Sequence, residues 1–150
     1  MFILSKGKPK TINLLCDRWN KQAGSKICGN SRQKNGNLSV RSGKGNLIPQ
    51  RGVRWNIWEY STGWQHSYNE IYLKGHPAIF PEQLVQDHIL SWSNENDLIY
   101  DPFMGSGTVA KVALLKNRKF IGSEISQEYY RIADKRIKEA KNRIEGGLFK

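Results

Sequence analysis

The sequence predicts an α/β architecture with parallel strands. Three observations carry it: helical and strand patterns alternate from residue 81 to 145, a glycine-bearing turn joins the first of those strands to its helix, and the first third is basic and aperiodic. The chain is 150 residues long, the size of one ordinary domain.

Each element follows from local chemistry. "MFIL" is a short apolar run, expected to form a buried strand. Residues 5–52 are rich in Gly, Ser, Asn, Lys and Arg, with only short apolar islands such as Ile12, Leu14 and Leu15, so an irregular, partly mobile excursion is expected. "VRWNIWEY", residues 53–60, has the β-branched and aromatic content of a strand, and loop follows it. In "HPAIFPEQLVQDHILSWS", Pro81 and Glu82 suit the first turn of a helix, and Leu84, His88, Ile89 and Trp92 fall at helical spacing. "DLIYD" reads as a strand, "TVAKVALLKN" as a helix carrying Val109, Val112, Ala113 and Lys116, and "KFIGSE" as a second strand ending in an acid. "SQEYYRIADKRIKEAKNRI" is an amphipathic helix with Ser126 as N-cap and Tyr129, Ile132, Ala133, Ile137 and Ala140 on one face; Gly146 and Gly147 end it.

Charge divides the chain. Residues 1–54 hold twelve of the 24 Lys and Arg and one acid, Asp17, a net +11; residues 55–150 hold twelve bases and twelve acids, a net of zero. A neutral body with a basic arm is the electrostatic footprint of a polyanion binder. Two portions are therefore expected, 1–54 and 55–150. Cys16 and Cys28, twelve residues apart, match no zinc or redox spacing, and His66, His76 and His88 do not cluster with them. Free thiols in a reducing cytoplasm and no metal site are expected. Without an apolar run of about 18 residues or a charged-then-apolar leader, neither a membrane span nor a signal peptide is expected.

"YDPFMGSGTVAK", residues 100–111, places the loop at the C-terminal edge of a parallel strand, where open α/β sheets bind ligands. Gly105 and Gly107 permit a sharp turn and close approach of a ligand to the backbone. Glu124 closes the next strand nineteen residues after Gly105, about where nucleotide-binding units put an acid for ribose hydroxyls. Asp101 beside the loop repels a pyrophosphate, as in a nicotinamide dinucleotide. It favours S-adenosylmethionine, whose sulfonium and α-ammonium are cationic.

"DPFMGSGT" with "GSEIS" resembles the cofactor motifs of the S-adenosylmethionine-dependent DNA amino-methyltransferases, which methylate adenine N6 or cytosine N4. "GHPAIFPEQL" resembles the segment that precedes that loop in one ordering class and closes over the methionine moiety. The resemblance covers residues 53–140 and implies a partial Rossmann-like methyltransferase fold with an irregular basic N-terminal segment. It implies cofactor contacts from His76, Pro77, Ala78, Phe80, Asp101, Pro102, Phe103, Gly105, Ser106, Gly107, Thr108 and Glu124, with Asp101 on the methionine amino group and Glu124 on the ribose. The basic segment resembles the family's target-recognition insertion. On DNA, Lys6, Lys8, Lys10, Arg18, Lys21, Arg32, Lys34, Arg41 and Lys44 are expected at phosphates, with Lys26, Arg51 and Arg54 also able to neutralise them and Asn13, Asn30, Gln33 and Asn35 capable of base-edge bonds. Trp19 suits stacking or packing; Trp55, Trp58 and Tyr60 suit core.

The family's catalytic motif, Asp/Ser/Asn-Pro-Pro-Tyr/Phe, holds the exocyclic amine and stacks on the flipped base. The prolines here are Pro9, Pro49, Pro77, Pro81 and Pro102, no two adjacent. The class with the catalytic half first implies that Met1 falls near the middle of a family domain. A C-terminal remnant is the leading expectation, beside a split enzyme completed by a second chain carrying the catalytic half and a reading frame cut short. Adenine N6 is preferred over cytosine N4. The alternatives are a non-catalytic DNA-binding module, an RNA or protein methyltransferase, and a nicotinamide enzyme that Asp101 argues against.

Overall fold

A computed structural model describes residues 7–62 and 80–146. The opening "MFIL", Lys6, the expected cofactor residues His76, Pro77 and Ala78, and Gly147 lie outside the described residues. The chain divides into two compact units: Leu14–Trp58, and Met1–Asn13 with Glu59–Lys150.

Leu14–Trp58 is a small antiparallel β unit where an irregular excursion was expected. β1 (Arg18–Trp19) pairs with β4 (Arg51–Gly52), and β2 (Asn30–Arg32) pairs with β3 (Leu38–Val40). An isolated bridge joins Lys26 and Leu47. The β2–β3 turn is an Asn-Gly turn: Gly36 has φ +84° and donates to the Gln33 carbonyl at 2.9 Å, while the Asn35 side chain accepts from Asn37 N–H at 3.1 Å. Asn-Gly is a strong hairpin signal because both residues tolerate positive φ. The expected strand over 53–60 is absent; only Arg51–Gly52 pairs, and Trp55 and Trp58 instead carry arginines on their rings.

The second unit is the α/β portion. Helix α1 (Glu82–Trp92) leads to β5 (Leu98–Asp101), α2 (Thr108–Leu115), β6 (Lys119–Gly122) and α3 (Gln127–Glu145). Strands β5 and β6 are parallel, with Ile99 opposite Phe120 and Asp101 opposite Gly122. Pro81 is the extended N-cap of α1 rather than part of its first turn, and Glu82 begins the helix. Ser126 caps α3 as expected, its side chain accepting from Tyr129 N–H at 3.4 Å. Gly146 is the C-cap, its N–H bonding the Asn142 carbonyl at 2.9 Å.

The described core lies on one face of the strand pair. Val85, Ile89, Val112 and Ala113 form one buried cluster, flanked by Ile99, Val109 and Phe120. Met104, Ala110 and Ala133 form another, flanked by Phe120 and Ile137. Leu98, Tyr100 and Ile121, on the opposite face by strand alternation, are exposed. Buried Arg118 fastens the turn before β6 to the end of α1, donating to the Ser93 carbonyl at 2.7 Å and the Ser93 hydroxyl at 3.1 Å.

Candidate functional site

The loop between β5 and α2 sits beside the loop after β6, both at the C-terminal ends of the parallel strands. Asp101 ends β5, and its Oδ1 accepts from Phe103 N–H at 3.1 Å, turning the chain out of the sheet. The two loops are tied together: Met104 N–H donates to the Ser123 carbonyl at 2.9 Å, and the Ser123 hydroxyl donates to the Pro102 carbonyl at 2.8 Å. Glu124 completes the junction, Oε2 accepting from Gly105 N–H at 2.7 Å and Oε1 from Ser126 N–H at 2.8 Å.

The two glycines have different uses. Both are left-handed, with φ +54° at Gly105 and +77° at Gly107. A Cβ on Gly105 meets nothing closer than 4.0 Å, so its backbone is open to a ligand. A Cβ on Gly107 would lie 2.9 Å from Ala133 Cβ; that glycine admits α3, not a ligand, contrary to the expected close approach. Ser106 and Thr108 are buried, and their side-chain oxygens accept from Arg136 on α3.

A cavity of about 340 Å³ opens at this junction, lined by Pro102, Phe103, Ser123, Glu124 and Ile125. Of the expected cofactor residues, Pro102, Phe103 and Glu124 line it. Asp101 and Gly105 are joined to those residues by the hydrogen bonds above, Ser106, Gly107 and Thr108 face α3, and Phe80 is half-exposed before α1. Ser123 and Ile125 were missed by sequence reasoning, although both flank the acid that closes the strand. Phe103 and Ile125 are almost fully exposed, 88% and 103%, an apolar pair at the mouth of a polar loop.

The basic residues of Leu14–Trp58 sort into engaged and available. Arg18 lies 4.2 Å over the Trp55 ring and donates to the Val53 carbonyl at 2.9 Å. Arg51 lies 4.2 Å over Trp19 and donates to the Asp17 carbonyl at 3.2 Å, and Arg54 stacks on Trp58 at 5.1 Å. Arg54 also chelates Asp17, and this hydrogen bond holds the Asp17 carboxyl below its ordinary range. These pairs build the unit. A groove of about 680 Å³ is lined by Arg18, Lys21, Lys26 and Arg41 together with Trp19 and Trp55. The side chains of Lys21, Lys26 and Arg41 make no ion pair or hydrogen bond among the described residues, and no acid lines the groove. Trp19, expected to stack or pack, lines the groove, and so does Trp55, which was expected in the core. Lys8, Lys10, Arg32, Lys34 and Lys44 are exposed outside that groove, Arg32 and Lys44 with weak 3.4 Å bonds to the Gly36 carbonyl and Asn30.

Among the described residues, no group of three or more His, Cys, Asp or Glu is placed to hold a metal, and no helix is long and apolar enough to cross a membrane. Cys16 and Cys28 are free and exposed.

The DNA methylase family model N6_N4_Mtase matches residues 1–135. The chain belongs to the DNA methylase family. It is 58% identical over 140 residues to the orphan methyltransferase M.BamHII of Bacillus amyloliquefaciens, a match covering 92% of this chain and 52% of that protein. The chain thus spans about half the length of this relative. Among solved structures, the cytosine-N4-specific PvuII DNA methyltransferase superposes with a TM-score of 0.50 at 29% identity, over 63% of this chain and 39% of that one. M1.HpyAVI, solved with S-adenosylmethionine, superposes with a TM-score of 0.43 at 28% identity, over 58% of this chain and 47% of that one. DNA methylases of this family take their methyl group from S-adenosylmethionine. Membership makes the parallel pair and its helices part of a methyltransferase α/β fold.

Proposed function

We propose that this chain supplies the S-adenosylmethionine-binding and target-recognition portion of a site-specific DNA methyltransferase acting on an exocyclic base amine. The observation that supports the cofactor half best is the pair of carboxylates, Asp101 and Glu124, at the ends of adjacent loops fastened through Gly105. The cavity between the loops lies at the small end of the range for small-molecule pockets, roughly 300–1,000 Å³. The donor set fits: one acid for the cationic methionine end, a second acid for ribose hydroxyls, and the Phe103 and Ile125 side chains for an apolar ring. Bound there, the cofactor would supply an electrophilic methyl group. Asp101 orients the amino acid end, Glu124 fixes the ribose, and Gly105 leaves its backbone uncovered. His76, Pro77, Ala78 and Phe80 are proposed to line the other side, as the family resemblance implies.

The Pro-Pro motif that the family resemblance assigns to the target amine does not occur in these 150 residues, so methyl transfer is proposed for the whole enzyme and not for this portion alone. Adenine N6 is the base preferred from the sequence; the likeness to the cytosine-N4-specific PvuII enzyme keeps N4 beside it.

Calorimetric titration of the 150-residue chain with S-adenosylmethionine tests the cofactor half. Asp101→Asn keeps the acceptor for Phe103 N–H and removes the charge, and is expected to weaken binding about ten- to a hundredfold, the worth of a charge-assisted hydrogen bond. Equal affinity of the two proteins rules out Asp101 as the anchor. For the DNA half, a duplex is titrated between about 50 and 200 mM salt, where each phosphate contact adds about 0.9 to the log–log slope. Replacing Lys21, Lys26 and Arg41 together by Ala is expected to lower that slope by about 3. An unchanged slope would move the phosphate contacts elsewhere on the chain.

A further inference from the structure

Arg136 is the largest fully buried side chain among the described residues, at 0% exposure. It stands in the apolar stripe of α3, three residues after Ala133 and four before Ala140, where a methionine or leucine would fill the space without the cost of burying a charge. Its guanidinium has directed contacts in two directions. Nη1 donates to the Ser106 carbonyl at 3.0 Å, to Thr108 Oγ1 at 2.9 Å and, at 3.4 Å, to Ser106 Oγ. Nη2 donates to Glu82 Oε1 at 2.6 Å. Lys111 Nζ reaches the same Oε1 at 2.7 Å, so a single carboxylate faces two cations.

These contacts join three pieces of chain distant in sequence: the glycine loop, the start of α1 and the middle of α3. On its other side the loop is held by Glu124 through Gly105 N–H. The glycine loop is therefore gripped from both sides. Glu82 also follows Phe80, which the family resemblance assigns to the cofactor, so the same carboxylate anchors the end of α1 that carries Phe80.

We propose that Arg136 is a positioning residue for the cofactor pocket. Its forked guanidinium locks the glycine loop, through Ser106 and Thr108, to the start of α1, through Glu82, and holds the two cofactor-lining segments in one relation. The role rests on the S-adenosylmethionine reading given above. Arginine is required because only a planar fork addresses both partners at once; a lysine ammonium is a single point charge at the end of a flexible stem.

Arg136→Lys keeps the charge and removes the fork. In the full chain, at a temperature well below the melting of both proteins, S-adenosylmethionine affinity is expected to fall about tenfold. In the ligand-free chain, amides of residues 105–108 are expected to exchange about tenfold faster while those of β5 and β6 keep their protection, the signature of a local opening. Affinity within about twofold of the original, or exchange accelerated equally at every protected amide, assigns Arg136 to general stability and overturns the proposal. If the unsubstituted chain binds no S-adenosylmethionine, the cofactor reading falls, and the exchange pattern alone decides whether Arg136 holds the loop. Should Arg136→Lys not fold, Glu82→Gln is measured identically. That variant retains shape and neutralises the carboxylate, and it carries the same expected losses and the same overturning results.

Discussion

Gly107→Ala is expected to destabilise the α/β unit by about 3 kcal/mol, lowering its melting temperature by roughly 10 °C. Two costs add. At φ +77° an alanine pays the left-handed penalty of about 1–2 kcal/mol. Its methyl group would also stand 2.9 Å from Ala133 Cβ and 3.0 Å from Ala133 Cα, in a helix contact with no flexible atom to yield. Such overpacking costs about 1–3 kcal/mol. Gly105→Ala is the internal comparison, since φ is +54° there but the new methyl meets only the Phe103 carbonyl oxygen at 4.0 Å. It is expected to cost about 1 kcal/mol and to act mainly on S-adenosylmethionine binding. Thermal melts of both variants decide the matter. Equal losses would mean that α3 does not press on the loop as closely as the structure describes.

Glu82→Ala is expected to cost about 3 kcal/mol, although the Glu82 side chain is 32% exposed. The loss does not come from a strong favourable pair. It comes from leaving Arg136, wholly buried, and Lys111, nearly so, without their shared counter-charge. That explanation has a consequence for the double variant. Combining Glu82→Ala with Arg136→Met removes the stranded guanidinium, and urea unfolding should show the pair less destabilised than the sum of the singles by about 1–2 kcal/mol. Strict additivity would show that the two side chains do not interact energetically.

Much of the α/β unit was legible because its signals are long-range in pattern and local in cause. Ser126 caps α3 and the 3.6-residue period continues for five turns, so its start and buried face followed directly. "DLIYD" matched β5, and "KFIGSE" matched β6 except that the strand ends at Gly122 and the acid Glu124 falls in the loop after it, because short apolar runs bounded by polar turns leave few alternatives. Family membership was legible in "DPFMGSGT" and the acid after β6. Arg136 was not, although the stripe itself pointed to it: a charge at a position flanked by Ala133 and Ala140 must be buried, and a buried guanidinium must be bonded. The β pairing of Leu14–Trp58 was missed for another reason. Its strands are two or three residues long, too short for alternation to register, and their turns use glycines at positive φ that are indistinguishable by composition from irregular chain. Only Asn35-Gly36 carried a specific hairpin signal. The aromatic run at 53–60 looked like a strand because its tryptophans suit one equally well. Trp55's arginine partner, Arg18, lies 37 residues away, beyond the reach of local pattern, although Trp58's partner, Arg54, is only four residues before it.

The one-sided packing of the strand pair bears on how this unit forms. Every residue of its two buried clusters lies between Val85 and Ala133, and Phe120 touches both clusters. The loops these contacts close are therefore shorter than about 50 residues, and loop-closure cost grows only slowly with length. The face carrying Leu98, Tyr100 and Ile121 contributes nothing to those clusters. Burial of the two clusters on the helical side does not depend on covering that face.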